Sequence, residues 1–281
     1  MELFCCPVCG EILQREEHTY RCAHGHCYDR AKSGYVNLLL PNQKHSKVPG
    51  DNKLMVRARS GFLNRGYYRP LADAVCEEAV TALAERRALG KGEKPVLLDC
   101  GCGEGYYTAL VESALREAGE SAALFGVDIS KLAADAAAKR TKTVSFAAAS
   151  VFRLPVPDAS CDLLLHLFAP YCGEEFRRVL KPDGCYLMVI PGERHLWSLK
   201  RAVYERPYPN EVKDTQLPGF SLLRRRTVAY TLSLDNPDDI LHLFQMTPYY
   251  YKTSREDAAR VERLSALETE IQFELLLYRR A

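Results

Sequence analysis

Apolar and polar residues follow two alternating patterns through the central part of the chain, between residues 95 and 192. Short apolar runs rich in β-formers (PVLLDCG, ALFGVDIS, VSFAAAS, CDLLLHLF and GCYLMVIPG) are separated by segments with helical spacing, which include YYTALVESALREAG, KLAADAAAKR and GEEFRRVLKPDG. Apolar strands that alternate with helices predict a parallel sheet with helices on both faces. The pattern therefore predicts an α/β fold of the doubly wound type.

The segments on either side of this region add a helix and a closing pair of strands. Residues 71–89 repeat apolar positions near helical spacing and predict an amphipathic helix that ends at Gly90. Near the end of the chain, RRRTVAYTLSL and IQFELLLYRR alternate apolar and polar residues on either side of a helical segment, SREDAARVERLSALE. This alternation predicts two further strands around a helix.

Length and composition limit the possible classes of protein. The chain has 281 residues, of which 47% are hydrophobic, which is enough for one large α/β domain with a small appendage or for two modest domains. The formal net charge is only +2, so a nucleic-acid partner requires a local basic patch. No run of about 18 apolar residues occurs, and the first residues lack a continuous apolar stretch. We therefore expect a cytoplasmic protein without a membrane partner.

Cysteine and histidine residues are concentrated near the start of the chain. Cys6 and Cys9 form a C-x2-C pair, and Cys22 and His26 form a C-x3-H pair after a spacer of twelve residues. In a reducing compartment such clustered cysteines are typical of metal ligands, and two short ligand pairs that face each other suit a tetrahedral zinc ion. The spacer predicts a short β-hairpin. The deaminase signatures H-x-E and P-C-x-x-C are absent, so we interpret the zinc as structural.

The choice of zinc ligands has alternatives within the same segment. Cys5 lies beside Cys6, and His24 or Cys27 can replace His26, because several sulfur and nitrogen atoms lie within reach. The C-x2-C spacing favours Cys6 over Cys5. Reduced thiols without a metal are a further interpretation, which the two paired spacings disfavour.

A locally basic strip follows the cysteine segment, between residues 44 and 69. Cationic side chains neutralise phosphates, and the interleaved Tyr67 and Tyr68 can stack on unpaired bases, so the strip suits RNA. A solvated linker and helix face is the alternative that a charge run alone favours. The cationic residues of the strip are Lys44, Lys47, Lys53, Arg57, Arg59, Arg65 and Arg69, against one acidic residue, Asp51.

A glycine-rich turn, residues 99–105 (DCGCGEG), ends the first strand of the alternating region. Ligands of doubly wound sheets bind at the carboxyl ends of the strands, and Gly101 and Gly103 let a cofactor approach the backbone. The leading Asp99 would repel the pyrophosphate of a dinucleotide, but it suits the sulfonium and ammonium groups of S-adenosylmethionine. Asp128, which ends the next strand, is placed to accept both ribose hydroxyls. A plain structural turn or a nicotinamide site is the alternative.

Two later strands offer supporting positions. Ala149 and Ser150 follow the third strand, where the adenine would lie, and Asp162 opens the fourth strand. Ordinary loop and strand-edge chemistry explains these residues equally well. The fourth strand ends in LHLFAPYC, where His166 and Tyr171 are candidates for a general base.

The order of these motifs resembles that of the RlmA family, which methylates guanine N1 in large-subunit rRNA. The resemblance extends over nearly the whole chain and rests on CPxC and CxxxH, DRAKSGYVNLL, PGDNKLMVRARSGFLNRGYYRPL, LLDCGCGEGYYT, VDISK, AAKR, LPVPD, APY, LKPDG, PGERHL and QMTP. It implies a class I (Rossmann-like) S-adenosylmethionine-dependent methyltransferase sheet with a small, β-rich N-terminal zinc domain that recognises 23S rRNA. It also implies a homodimer that forms the RNA cleft, and methyl transfer to N1 of a guanine in a 23S rRNA hairpin.

Matching these motifs residue by residue gives the sites that the resemblance implies. The zinc ligands are Cys6, Cys9, Cys22 and His26, and the cofactor contacts are Tyr68, Gly103, Glu104 and His195. Tyr68 would close over the cofactor from the segment before the methyltransferase domain. The implied organisation is a zinc-binding rRNA-recognition domain at residues 1–36, a basic linker at 37–70 and the methyltransferase domain at 71–281.

The chain departs from the family pattern at three places. These are the doubled cysteine at 5 and 6, the additional Cys27, and His166, where relatives can carry a basic residue. The end of the fourth strand also lacks the N/D-P-P-Y motif that grips exocyclic amines, and the chain has no Pro-Cys nucleophile motif. By elimination, a ring nitrogen is therefore the methyl acceptor that fits.

Two other functions fit parts of the sequence. A small-molecule methyltransferase of the quinone type would share the glycine-rich domain, but it leaves the zinc segment and the basic strip unexplained. A non-catalytic zinc-ribbon protein that binds rRNA would explain those segments, but Asp99, Gly103 and Asp128 are all present. An equilibrium binding measurement with S-adenosylmethionine distinguishes this second alternative from an enzyme.

Overall fold

The structure is a computed structural model that describes residues 2–41, 49–88, 94–211 and 214–281. Lys44 and Lys47 of the basic strip, and the helix end predicted at Gly90, lie outside the described residues. The N-terminal segment forms a three-stranded antiparallel sheet of β1 (Gln14–Arg15), β2 (Thr19–Arg21) and β3 (Cys27–Asp29). Gln14 pairs with Arg21, so the hairpin predicted in the spacer is confirmed.

The second sheet has eight strands, and these include the apolar runs of the alternating pattern. Its strands are β4 (Val36–Asn37), β5 (Val96–Cys100), β6 (Ala123–Asp128), β7 (Ser145–Ala148), β8 (Cys161–Leu167), β9 (Leu180–Pro191), β10 (Phe220–Leu234) and β11 (Leu267–Arg280). The spatial order is β10-β11-β9-β8-β5-β6-β7-β4. Only β11 runs against the others, since it pairs antiparallel with both β9 and β10. Every residue of β5 and β8 is buried, as expected for central parallel strands covered on both faces.

Helices connect these strands and cover the sheet. They are α1 (Lys53–Asn64), α2 (Arg69–Ala88), α3 (Tyr106–Glu117), α4 (Lys131–Arg140), α5 (Gly173–Val179), α6 (Trp197–Val203), α7 (Pro237–Gln245) and α8 (Arg255–Glu262). The predicted α/β fold is therefore confirmed, including the closing strands β10 and β11 around α8. Within the described parts of the chain, no helix is long and apolar enough to cross a membrane.

The zinc segment is packed directly onto the large sheet. The short strand β4 leaves this segment and pairs in parallel with β7 at the edge of the sheet. Phe4 is fully buried, and its ring meets that of Phe125 in β6 edge to face at a centroid distance of 5.5 Å. The Cys5 amide donates to the Pro155 carbonyl at 2.8 Å. Hydrogen bonds and apolar burial therefore hold the two sheets together.

The segment predicted as a basic linker, residues 37–70, contains helix α1. Asn52 caps this helix, because its side chain accepts the Met55 amide at 3.1 Å. On the inner face, Phe62 and Leu63 are buried in the main core. The close approach of α1 to α7 leaves no room for a side chain at Gly61, where a Cβ would lie 2.7 Å from the His242 ring. The boundaries of the three predicted domains stay predictions.

Candidate functional site

The four predicted zinc ligands are brought together at the tip of the N-terminal sheet. The ligand atoms of Cys6, Cys9, Cys22 and His26 all lie within 4.8 Å of one another. Cys9 Sγ and Cys22 Sγ are 3.6 Å apart, and Cys22 Sγ is 3.3 Å from His26 Nδ1. Ligands about 2.3 Å from a tetrahedral zinc ion are separated by about 3.8 Å, so this donor set fits one zinc ion. The Tyr28 hydroxyl, 3.1 Å from Cys6 Sγ, provides a hydrogen-bond partner behind the ligand.

The alternative ligands lie outside this cluster. Cys5 is buried against the large sheet, and burial raises the pKa of its thiol to about 11. Cys27 is exposed on β3, and His24 is exposed in the turn before it. Of the residues that the structure describes, only the four predicted ligands form a group of metal-binding type around these loops.

The glycine-rich turn connects β5 to α3 at the carboxyl edge of the sheet. The amides of Gly101 and Cys102 both donate to the Val127 carbonyl, at 2.8 and 2.9 Å. The Gly103 amide donates to Asp128 Oδ2 at 3.0 Å. These bonds attach the turn to the end of β6, so the two predicted halves of the cofactor site lie side by side.

All three glycines of this turn have positive φ, and Gly101 and Gly103 differ in the space around them. Gly101 has φ +85°, and a Cβ there would lie 2.4 Å from the Cβ of Ala169, which follows β8. Gly103 has φ +55°, but the nearest atom to a Cβ there is Arg59 Nη1 at 3.7 Å. The turn is thus packed tightly on the β8 side and open at Gly103, where a cofactor can approach the backbone.

Asp99 is the buried carboxylate of the site. Its Oδ2 accepts the Thr108 hydroxyl at 2.5 Å, whereas its Oδ1 has no hydrogen-bond partner among the described residues. Burial raises the pKa of Asp99 to about 7; the hydrogen bond from Thr108 opposes this shift and the nearby charge of Asp128 adds to it. A cation bound next to Asp99 would offset the cost of its negative charge. The unsatisfied oxygen therefore fits a positively charged cofactor such as S-adenosylmethionine.

Asp128 lies at the end of β6 with both carboxylate oxygens fixed by the backbone. Oδ2 accepts the Gly103 amide, and Oδ1 accepts the Ser130 amide at 2.8 Å. Each carboxylate oxygen has a second lone pair, so Asp128 is still able to accept the two hydroxyls of a ribose. Burial raises the pKa of this carboxyl, and the two backbone hydrogen bonds oppose that shift.

Helix α1 places an arginine over this edge of the sheet, which the sequence did not indicate. Arg59 belongs to the basic strip, but it turns inward, forms an ion pair with Asp51 and lies near the charges of Asp128 and Glu104. Burial lowers the pKa of Arg59. The Asp51 carbonyl accepts the Ser130 hydroxyl at 2.6 Å, so the start of α1 rests on the loop after β6. The spacing of charges in the strip could not distinguish Arg59 from its exposed neighbours.

Glu104 is a buried residue of the turn and is paired with a second arginine that the sequence did not indicate. Arg140, at the end of α4, donates from Nε to Glu104 Oε2 at 2.9 Å and forms an ion pair with the same oxygen through Nη2. Glu104 Oε1 has no partner in the described part of the chain. One oxygen is therefore held by the protein and the other is left for a ligand. The AAKR motif, which ends in Arg140, was the available signal.

Tyr68 and His195, two of the predicted cofactor contacts, lie close to each other. Their ring centroids are 6.2 Å apart, and both rings contact Phe273 of β11, at 5.1 and 4.3 Å. His195 Nδ1 accepts the Gln272 amide at 3.3 Å. Burial, with the charge of Lys200, lowers the pKa of His195 to about 3, so the ring is neutral near pH 7 and its proton lies on Nε2.

Ala149 and Ser150 follow the third predicted strand, which is β7. The Ala149 amide donates to the Asp128 carbonyl at 2.9 Å, which places Ser150 next to the proposed ribose site. Ser150 is buried, and its hydroxyl accepts the Phe152 amide at 3.2 Å. Its contact with adenine stays a prediction.

Asp162 serves the core of the sheet. It accepts Arg86 Nη2 at 2.7 Å, Lys181 Nζ at 2.9 Å and the Val96 amide at 2.9 Å. Burial raises the pKa of this carboxyl, but the hydrogen bonds from these three donors outweigh burial and leave the pKa below its usual value. These partners belong to α2 and to the sheet itself, so the role of Asp162 is structural.

His166 and Tyr171, the two candidates for a general base, are both engaged in packing. His166 is buried, with Nε2 2.8 Å from the Ala169 carbonyl and Nδ1 2.7 Å from the Tyr186 hydroxyl. Both ring nitrogens of His166 are therefore engaged in hydrogen bonds, so neither is available to a substrate in this conformation. The Tyr171 ring packs on Phe176 at 5.9 Å, and its side chain is 39% exposed. Burial raises the pKa of its hydroxyl above the usual range, so it is largely protonated near pH 7 and no base in this state. The geometry therefore assigns no general base.

Comparison with known proteins finds the same combination of a zinc ribbon and a methyltransferase domain. The family described as RlmA, N-terminal, a zinc ribbon, matches residues 4–47, and the family described as Methyltransferase domain matches residues 98–188. The 23S rRNA (guanine(748)-N(1))-methyltransferase of Streptomyces fradiae is 32% identical over 260 residues, which cover 91% of this chain and 88% of the relative. A Micromonospora griseorubida protein, named provisionally as a 23S rRNA (guanine-N(1)-)-methyltransferase, is 38% identical over 69% of this chain and 67% of its own length.

Among solved structures, the MccD protein aligns with a TM-score of 0.44 and 18% identity, over 67% of this chain and 90% of that one. The relatives and the zinc-ribbon match, together with the sheet, the turn and the zinc ligands described above, show that the chain belongs to the RlmA family of S-adenosylmethionine-dependent methyltransferases.

Proposed function

We propose that the protein transfers a methyl group from S-adenosylmethionine to N1 of a guanine in a hairpin of 23S rRNA. The observation that carries the proposal is the cluster of four predicted zinc ligands joined through β4 to a methyltransferase sheet, which brings the predicted cofactor residues Asp99, Gly103 and Asp128 together at one edge. A small-molecule methyltransferase would have no use for the zinc module. The names of the relatives point to the same reaction, and that of the Streptomyces fradiae protein specifies guanine 748.

Different residues of the chain bind different parts of the cofactor. S-adenosylmethionine supplies a methyl group carried on a positively charged sulfur. Asp99 offers its free oxygen to the cationic part of the cofactor, and Asp128 orients the ribose. Gly103 leaves room for the cofactor against the backbone. Neutral His195 can donate a hydrogen bond from Nε2 without adding positive charge near the sulfonium.

The transfer also requires that the proton on guanine N1 be removed. His195 is a poor base because its pKa is about 3, and both nitrogens of His166 are hydrogen-bonded. We propose that in-line positioning of the two reactants supplies most of the acceleration, and that the proton leaves to solvent. N1 lies on the Watson–Crick edge, so the target base must be unpaired or flipped, which costs least in a hairpin loop.

Exposed cations on α1, directly after it and at the start of α2 support RNA binding; the last two, Arg65 and Arg69, are also paired with Asp239 and Asp73. Lys53, Arg57, Arg65 and Arg69 are exposed, whereas Tyr67 is half-buried and Tyr68 is buried. The Tyr67 hydroxyl donates to Asp239 at 2.7 Å. The two tyrosines therefore do not stack on RNA in this conformation, and we propose that the exposed cations bind phosphates of the rRNA whose hairpin the zinc domain recognises.

We also propose a cytoplasmic homodimer. Its support is the family resemblance together with the long strand β10, whose outer edge pairs with no other strand of the described chain. Natural edge strands of this length are usually covered or protected. Light scattering of the purified protein measures the mass directly, and a monomer at all concentrations would contradict this part of the proposal.

The enzymatic proposal is tested by incubating the purified protein with protein-free 23S rRNA and S-adenosylmethionine labelled in the methyl group. A methyl on N1 blocks base pairing, so we expect a reverse-transcription stop next to one guanine. The Asp128→Ala variant is the control, which should bind RNA but leave no stop. Label that enters only protein or small molecules would contradict the proposal.

A further inference from the structure

Phe168, the residue that follows β8, has an unusual combination of exposure and backbone conformation. Its side chain is 48% exposed although it lies at the carboxyl end of a central strand. Its φ is +59°, in the left-handed region that bulky residues other than glycine rarely adopt. A left-handed backbone at an aromatic residue costs energy, and such conformations concentrate at functional sites.

The surrounding loop is fixed in this conformation by specific contacts. The carbonyl of Ala169 is held by His166 Nε2 at 2.8 Å, and His166 is held in turn by the Tyr186 hydroxyl. The Ala169 side chain rests against Gly101 of the cofactor turn, where a Cβ would be only 2.4 Å away. Phe168 is therefore presented next to the cofactor turn by a rigid support.

An aromatic cluster connects Phe168 to the predicted cofactor residues. The Phe168 ring lies 5.3 Å from Phe273 and 6.5 Å from Tyr107, the second residue of α3. Phe273 contacts the rings of Tyr68 and His195. The ring of Phe168 thus belongs to the same aromatic cluster as Tyr68 and His195, two of the predicted cofactor contacts, but unlike them it is about half exposed.

One polar atom in this cluster is unsatisfied. The Tyr107 hydroxyl is buried and has no hydrogen-bond partner among the residues that the structure describes. Buried hydroxyls are normally hydrogen-bonded, so an unpaired one marks a place for a partner, which is an ordered water or a polar group of a ligand. A ligand that stacks on Phe168 and also carries hydrogen-bonding groups would meet both requirements.

We propose that Phe168 is the stacking platform for the target base, and that its left-handed backbone serves to turn the ring toward the flipped guanine. This inference rests on the proposed function, since it assumes that a base is the acceptor. A purine offers a flat π surface for the Phe168 ring and polar edges for the unpaired hydroxyl. Stacking here would hold the base beside the cofactor turn.

The test compares four variants for three quantities: the kcat/KM for 23S rRNA, the Kd for S-adenosylmethionine and the thermal midpoint. Phe168→Leu keeps an apolar side chain without a ring, and Phe168→Trp keeps a ring. Phe168→Gly removes the side chain and accepts the positive φ without strain. Phe152→Leu, at a phenylalanine that is 60% exposed beyond β7, is the matched control for the loss of an exposed ring.

Loss of base stacking predicts a decrease in kcat/KM of about 5- to 150-fold for Phe168→Leu and Phe168→Gly. The Kd for S-adenosylmethionine should be unchanged in both, and Phe168→Gly should melt no lower than the wild type. Phe168→Trp should lose less kcat/KM than Phe168→Leu, because it keeps a ring for stacking, and Phe152→Leu should keep wild-type kcat/KM.

Two results would overturn the inference while leaving the proposed function intact. One is full kcat/KM in Phe168→Leu while the wild type methylates rRNA. The other is a loss of S-adenosylmethionine affinity equal to the loss of kcat/KM, which would assign Phe168 to the cofactor site. Failure of the wild type itself to methylate rRNA would instead contradict the proposed function.

Discussion

Replacing Asp99 with asparagine should make the protein more stable without cofactor, by an amount that grows with pH. The carboxyl is 2% exposed, and burial raises its pKa from 3.8 to about 7. Because the folded-state pKa is above the unfolded value, folding favours the protonated acid. The contribution of Asp99 to stability is therefore complete below about pH 4 and is lost as the pH rises to about 7.

The size of the effect follows from the shift. A difference of about 3 pKa units, at about 1.4 kcal/mol per unit, gives about 4 kcal/mol of stability lost by the wild type between pH 4 and pH 8. The Asp99→Asn variant avoids this loss, because an asparagine side chain has no charge to bury. The stability difference between variant and wild type should increase by about 3 kcal/mol between pH 5 and pH 8.

Urea unfolding at several pH values measures this difference directly, and Asp162→Asn is the matched control. The pKa of Asp162 is lowered, so its contribution is present above the unfolded pKa and is lost only in more acidic solution. Asp162→Asn should therefore cost a nearly constant amount from pH 5 to pH 8. That cost is about 3–5 kcal/mol, because Arg86 and Lys181 lose a buried partner.

Cofactor binding provides the second half of this test. If Asp99 pairs with the cationic part of S-adenosylmethionine, the affinity of the wild type should rise with pH up to about 7 and then level off. The Asp99→Asn variant should bind more weakly and without this pH dependence. A stability difference that is constant from pH 5 to pH 8, or an affinity profile shared by the wild type and the variant, would refute the reasoning.

Two further predictions concern zinc and the glycine-rich turn. Cys9→Ser should lower the zinc content measured by mass spectrometry and unfold the N-terminal sheet. Cys27→Ser should keep one zinc ion per chain, because Cys27 lies outside the cluster. Equal zinc contents in the two variants would contradict the ligand assignment. Gly101→Ala should lower the thermal midpoint strongly, because its Cβ would lie 2.4 Å from the Cβ of Ala169. Gly103→Ala meets no close atom and carries only the strain of its positive φ, so it should lower the midpoint less and should also weaken S-adenosylmethionine binding measured by calorimetry. Equal midpoints for the two variants would contradict this account of the turn.

The sequence predicted the features that depend on local spacing. The runs that form β5 and β8 are mostly apolar because both faces of these strands are buried, so their strand character was visible without the fold. The zinc ligands were recognisable because each pair lies in one short loop. Asp99 and Asp128 were recognisable because each occupies the end of a strand.

The features that the sequence did not predict depend on contacts between distant segments. Arg59 faces the cofactor edge and Arg57 faces solvent, and only the packing of α1 decides between them. The pairing of Glu104 with Arg140 joins residues far apart in the chain. The positive φ of Phe168 occurs in a loop whose Ala169 carbonyl is hydrogen-bonded to His166, and no local pattern indicated it.

Helix α7 is a different case, because a local signal was present. Asn236 caps the helix by accepting the Asp238 amide at 2.9 Å, and Pro237 occupies the first turn. This combination of an Asn cap and an early proline is typical of a helix start. The helix could therefore have been predicted from its first residues.

The most direct test of the central claim is the chemical identity of the methylated nucleoside. 23S rRNA is incubated with the protein and S-adenosylmethionine carrying an isotopically labelled methyl group, digested to nucleosides and examined by mass spectrometry. The account predicts that 1-methylguanosine is the single labelled nucleoside, and that the Asp128→Ala variant produces none. Label in a methylated adenosine, in a ribose-methylated nucleoside or in no nucleoside at all would contradict it.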